Sequence, residues 1–165
     1  MTESLVEAAA RGAELTDERA LAELRREVAD DLEEAVRSAD YRVRAVGYRA
    51  IGQLRFTQKV ELLRRGLEDT SPACRGSALI SLELMSRQHP GAVNSVRSLL
   101  HKLANDDPNS AVRRLAVICL RNGSPAKDTI TLLGFLAESE EEEKDLRAAA
   151  TSVRDALKRK ASARA

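Results

Sequence analysis

The chain has 165 residues, of which 26 are Ala and 22 are Leu, with aromatics at 2% and no Trp. So few aromatic and turn-forming residues exclude an all-β fold, and 43% apolar against 32% charged residues excludes wholesale disorder. The net charge of +1 conceals a gradient: residues 1–40 carry −7, residues 41–136 carry +8 and residues 137–165 carry 0, with Arg outnumbering Lys by 21 to 6.

The N-terminus, MTESLVEAAARGAELTDE, has neither the basic nor the apolar region of a secretory signal. No run approaches the ~18 apolar residues of a membrane span. A cytoplasmic protein with no membrane partner is the expectation. Residues 3–13 read as a short helix ended by Gly12. Thr16 to about Ser38 reads as one long helix, with Leu21, Leu24, Val28, Leu32 and Ala35 on one face. DYRVRAVGYRAIGQL follows from Asp40, then TQKVELLRRGLED. Asp69-Thr70-Ser71-Pro72 supplies caps and an early Pro for TSPACRGSALISLEL. His89-Pro90-Gly91 is a stop, after which PGAVNSVRSLLHKLAND reads as one helical stretch. Asp106-Asp107-Pro108-Asn109 opens PNSAVRRLAVICLRN, Gly123-Ser124-Pro125 ends it, and AKDTITLLGFLAESE and EKDLRAAATSVRDAL complete the chain.

Four of these segments align. Each has an apolar residue before Arg: Val43-Arg44, Cys74-Arg75, Val112-Arg113 and Leu146-Arg147. Each has a small residue three positions later: Gly47, Ala78, Ala116 and Ala150. Ile51, Leu82 and Leu120 stand seven after the Arg, where the fourth segment departs with Arg154. An amphipathic stretch precedes each segment, so the unit is a helix–turn–helix that buries its apolar face only by stacking on its neighbours.

The pattern D-x-x-x-x-V-R-x-x-A-x-x-x-L resembles the HEAT-repeat family, in its short bacterial HEAT-like or PBS-lyase-like form. Asp107, Val112, Arg113, Ala116 and Leu120 carry it most completely, and Asp69, Cys74, Arg75, Ala78 and Leu82 next. The expected fold is a short right-handed α-solenoid of about four stacked helix-turn-helix repeats. It forms a single domain: an extension over 1–15, repeats over 16–56, 57–88, 90–122 and 126–160, and a frayed tail over 161–165. The resemblance also implies that the recurring Arg pairs with an acid at a helix start, often across repeats. The acid six before the Arg is Asp69, Asp107 or Glu141 in three units. On that reading Arg75, Arg113 and Arg147 are scaffold. Two alternatives stay open for the Arg excess: bidentate recognition of carboxylate or phosphate, and simple compositional bias.

Chemistry is scarce. His89, beside Pro90, and His101, on an amphipathic helix, lack a metal-ligand spacing and read as surface residues. Cys74 and Cys119 sit in apolar helical stretches and read as buried small hydrophobes. There is no G-x-S-x-G, phosphate loop or dinucleotide fingerprint. Asp30-Asp31, Asp106-Asp107 and the Glu140–Glu143 run read as caps or solvated faces. The expectation is a protein that is not an enzyme and has no cofactor, metal or small-molecule substrate.

The resemblance places the second helix of each pair on the concave side. Advancing about 100° per residue from the recurring Arg, positions −2, +2, +5 and +9 point away from the packed face. They include Arg42, Val46 and Arg49, then Ile80 and Leu84, then Leu115 and Ile118, flanked by Arg114 and Arg121. An apolar patch rimmed by Arg suits a protein partner, an acidic one included. The same residues also suit burial by neighbouring helices. The functional expectation is a protein–protein interaction module: an adaptor, scaffold or regulatory subunit. Its rival is nucleic-acid binding through the basic section 41–136, against which stand the four aromatics and the acidic N-terminal region.

Overall fold

A computed structural model describes residues 3–164. Met1, Thr2 and Ala165, at the outer ends of the expected extension and tail, lie outside the described residues. The chain divides after Met85 into two compact units. Among the described residues there is no strand, and no helix is long and apolar enough to cross a membrane.

In the first unit, local capping chemistry sets the helix starts. Ser4 and Glu7 exchange side-chain and backbone hydrogen bonds in a capping box that opens α1 (Leu5–Glu14). Asp17 opens α2 (Glu18–Val36), and Asp40 opens α3 (Tyr41–Gln53). A 3-10 turn over Thr57–Lys59 leads into α4 (Val60–Leu67), followed by α5 (Pro72–Ser86). The apolar periodicity becomes the core: Leu21, Leu24, Leu32, Ile51, Leu54, Leu63 and Leu67 are at most 2% exposed. Each such burial contributes on the order of 2 kcal/mol. Gly12 does not end α1, which runs to Glu14. A Cβ there would overlap the Leu54 side chain, so Gly12 serves close packing.

α3 ends in a Schellman motif: the Phe56 N–H donates to the Ile51 carbonyl at 2.9 Å and the Arg55 N–H to the Gly52 carbonyl at 3.1 Å. The left-handed position usually taken by Gly is occupied by Arg55, at φ 48°. Its guanidinium donates to the Leu15 carbonyl at 2.6 Å, which ties the strained turn to the loop after α1. Arg25 on α2 donates to the carbonyls of Leu54 and Arg55, at 2.8 and 2.9 Å, and so caps the same helix end.

The second unit holds α6 (Gly91–Asn94), α7 (Arg97–Asp106), α8 (Ser110–Leu120), α9 (Lys127–Glu138) and α10 (Lys144–Arg164). Leu100, Val112, Ala116, Leu120, Leu133, Leu146, Ala150, Val153 and Leu157 form its core. The stretch expected as one helix over 90–106 is broken at Ser95 and Val96. Side chains compete with the helix there: Asn94 accepts the Ser124 N–H at 2.8 Å, and the Ser95 hydroxyl donates to the Ala92 carbonyl at 3.1 Å. α10 stays helical to Arg164, past the expected end at 160. Lys160 ties it down, donating to the Arg121 and Gly123 carbonyls at 2.9 and 2.8 Å.

Candidate functional site

Three of the four recurring arginines, Arg44, Arg75 and Arg113, bind helix-end carbonyls, and two of them also act as bridges. Arg44 on α3 donates through Nε and Nη2 to both carboxylate oxygens of Asp69, each at 2.9 Å. Its Nη1 donates to the Ser38 and Ala39 carbonyls beyond the end of α2. One guanidinium thus caps a helix C-terminus and clamps the acid of the next repeat. Burial pushes the Asp69 pKa up, but the Arg44 fork and the Ser71 N–H outweigh it and hold the carboxyl below the ordinary 3.8. In the second unit Arg113 does the same. It donates to the Ala104 carbonyl at 2.9 Å and to both oxygens of Glu142 at 2.7 Å. Arg75 donates to the Asp69 and Thr70 carbonyls.

The acid expected for the fourth repeat was Glu141, and the structure uses Glu142 instead. Of the two, Glu141 is exposed while Glu142 is half-buried against Arg113. That hydrogen bond outweighs the burial cost and holds Glu142 below the ordinary 4.5. Arg147 is half-buried and makes no ion pair among the described residues. Both bridges run forward, from Arg44 to Asp69 and from Arg113 to Glu142 of the following repeat.

The nine residues expected on the partner face are Arg42, Val46, Arg49, Ile80 and Leu84 in the first unit, and Arg114, Leu115, Ile118 and Arg121 in the second. None is buried. Arg42, Arg114 and Arg121 are exposed, and the other six are half-buried. Side chains at these positions therefore keep accessible area without standing free. In the first unit, Ser81 of α5 joins the two helices that carry the face. Its hydroxyl donates to the Tyr48 carbonyl at 2.6 Å and accepts the Gly52 N–H at 3.0 Å.

Arg49 stands apart from the scaffold arginines. Its Nη1 is buried and has no hydrogen-bond partner. Burial lowers its pKa, with no carboxylate to oppose the shift. Arg stays protonated even so, which leaves a desolvated and uncompensated charge on α3. Periodicity placed Arg49 away from the packed face, but no sequence signal distinguishes this unpaired state from that of Arg44.

His101, expected as an ordinary surface residue, is partly enclosed. It is half-buried, with Nε2 2.8 Å from the hydroxyl of buried Thr129 on α9. Burial lowers its pKa, Asp128 opposes the shift and Arg97 adds to it. Cys74 and Cys119 are buried and are not joined in a disulfide, and the Cys74 thiol donates to the Tyr41 carbonyl at 3.2 Å. Among the described residues no three His, Cys, Asp or Glu side chains are grouped to hold a metal ion. Sequence reasoning missed a groove of about 1030 Å³, where Arg42 and Val46 meet α1 and the C-terminal half of α2.

Residues 29–121, more than half of the chain, match the family described as HEAT repeats. No curated protein matches the chain.

Proposed function

Starting from a chain that belongs to the HEAT-repeat family, whose repeats generally mediate protein–protein interaction, we propose a non-catalytic, cytoplasmic adaptor, scaffold or regulatory subunit. It takes a protein partner on the second helices of its repeats, the face that the family turns to its concave side. In the first unit that surface is Arg42, Val46, Arg49, Ile80 and Leu84. In the second it is Arg114, Leu115, Ile118 and Arg121.

Arg49 carries this reading. A guanidinium with a buried, unpartnered Nη1 costs stability on the order of 1–3 kcal/mol unless something compensates it. A partner carboxylate docked over half-buried Val46, Ile80 and Leu84 supplies that compensation in water-poor surroundings, where a charged hydrogen bond is strong.

The charge distribution favours a protein over a nucleic acid. Much of the basic excess of residues 41–136 is spent internally. Arg44, Lys59 and Arg113 pair with Asp69, Glu33 and Glu142. Arg55 and Arg75 donate to backbone carbonyls. Of the aromatics, Tyr48 and Phe56 are buried and offer no base a stacking platform.

The test is a tagged pull-down from native lysate, with and without nuclease, using wild type, Arg49→Leu and Ile80→Asp. A protein retained after nuclease and lost in both variants supports the proposal. A catch that disappears with nuclease overturns it in favour of phosphate binding.

A further inference from the structure

We infer that the groove between α1, α2 and α3 docks a basic amphipathic helix of a partner protein. The inference does not rest on the Arg49 face, although the two surfaces share Arg42 and Val46. Five apolar side chains line the groove: Leu5, Val6, Ala35, Val43 and Val46. Val6 and Val43 are 57% and 41% exposed, among the few large hydrophobics that the described residues leave open to water. Four acids from α2, Asp30, Asp31, Glu33 and Glu34, rim it against two bases, Arg37 and Arg42.

Three of these carboxylates, Asp30, Asp31 and Glu34, are exposed and make no ion pair among the described residues. Glu33 is different, because Lys59 at 2.6 Å and Arg37 at 2.8 Å neutralise it. All three also stand in the last two turns of α2, whose final turn carries no base. Negative charge at a helix C-terminus opposes the macrodipole, so helix stability does not account for them. An apolar floor with an unpaired acidic rim is complementary to a helix that bears apolar residues on one side and Lys or Arg flanking them.

The walls fix the binding mode. They are helices, with no strand edge for an extended peptide to join, which leaves a helix laid in a groove. A second copy of this chain is a poor occupant. The apolar face of its basic C-terminal helix, Leu146, Ala150, Val153 and Leu157, is already buried in its own unit.

The probe is a labelled peptide of about 14 residues, about 21 Å as a helix, with a Leu stripe flanked by Lys. The control replaces every Lys by Glu. The Lys peptide is expected to bind the full chain and to shift the methyl resonances of Val6, Val43 and Val46. Asp30→Asn/Asp31→Asn/Glu34→Gln is expected to weaken it about tenfold or more, and added salt to weaken it as well. That variant is expected to melt at or above wild type, which separates lost binding from lost fold. Val43→Asn weakens binding without changing rim charge, and Arg49→Leu leaves it unchanged. Failure of the Lys peptide to bind, equal binding of the Glu peptide, or an undiminished triple variant would overturn the inference. A concentration-dependent dimer abolished by the triple variant would assign the groove to a second copy instead.

Discussion

Arg44 and Arg49 lie on the same helix, and α3 gives them opposite surroundings. On the packed face, Arg44 donates four hydrogen bonds, two to carbonyls and two to a bidentate carboxylate, with side-chain exposures of 18% for Arg44 and 8% for Asp69. Gly47 and Ile51 continue that face into the core. On the other face, Arg49 has lost water without gaining a partner at Nη1, beside a half-buried Val46 and an exposed Arg42. The same side chain is thus an internal staple on one side of the helix and an unmet demand on the other. Arg44 and Arg113 each serve a helix C-terminus and the next repeat's acid. Arg49 does neither, and it stands on the face proposed for a partner.

Four substitutions or conditions break or sharpen that contrast. The largest expected effect is Arg44→Ala, which leaves Asp69 half-enclosed without its counter-ion. The expected loss is about 3 kcal/mol, or roughly 10 °C in melting temperature for a chain of this size. Next is Gly47→Ala. Helix propensity alone favours it by about 1 kcal/mol. A Cβ there would stand 2.8 Å from Val36 Cγ1 and 3.1 Å from the Val36 nitrogen, and overpacking of this kind costs about 1–3 kcal/mol. A net loss of about 1 kcal/mol is expected by denaturant unfolding, because backbone does not yield as a side chain does.

Glu142→Gln is expected to cost about 1 kcal/mol, and Glu141→Gln close to nothing. The pair of melting curves reads out which glutamate holds Arg113. The smallest effect is on pH. Burial keeps His101 neutral in the folded chain, so below the ordinary 6.5 the unfolded chain takes up a proton that the folded chain refuses. Stability is full above that value and declines as pH falls through it, and His101→Asn removes the slope. Asp69 and Glu142 act lower. Their folded values lie below the ordinary 3.8 and 4.5, so their contribution is present above those values and disappears as pH falls through the folded ones.

The packed face was legible because a repeat writes it four times. Val112, Ala116 and Leu120 are buried where the pattern put them, as are Cys74, Ala78 and Leu82. A cap told one helix start for a related reason: Asn109, in the run Asp106-Asp107-Pro108-Asn109, accepts the Val112 N–H within its own few residues. What failed depends on tertiary register. Glu141 and Glu142 are equivalent within a run of four glutamates, and only the reach of Arg113 from another helix chooses between them. The break at Ser95 turns on Asn94 finding Ser124, 30 positions away in the chain. The unpaired state of Arg49 is a matter of what lies around it, which no face calculation contains. The groove of Val6, Asp30 and Val43 was missed because it draws on three helices, two of them outside the repeat alignment.

The most direct measurement is the melting temperature of Arg49→Leu beside that of Arg44→Ala, with capture of the partner by each folded variant. If Arg49 is an unspent charge on a binding face, its removal leaves the melting temperature equal to or above wild type while capture is lost, and Arg44→Ala melts roughly 10 °C lower. A loss of stability in Arg49→Leu comparable to that of Arg44→Ala would contradict this, and would make the outward face of α3 part of the scaffold.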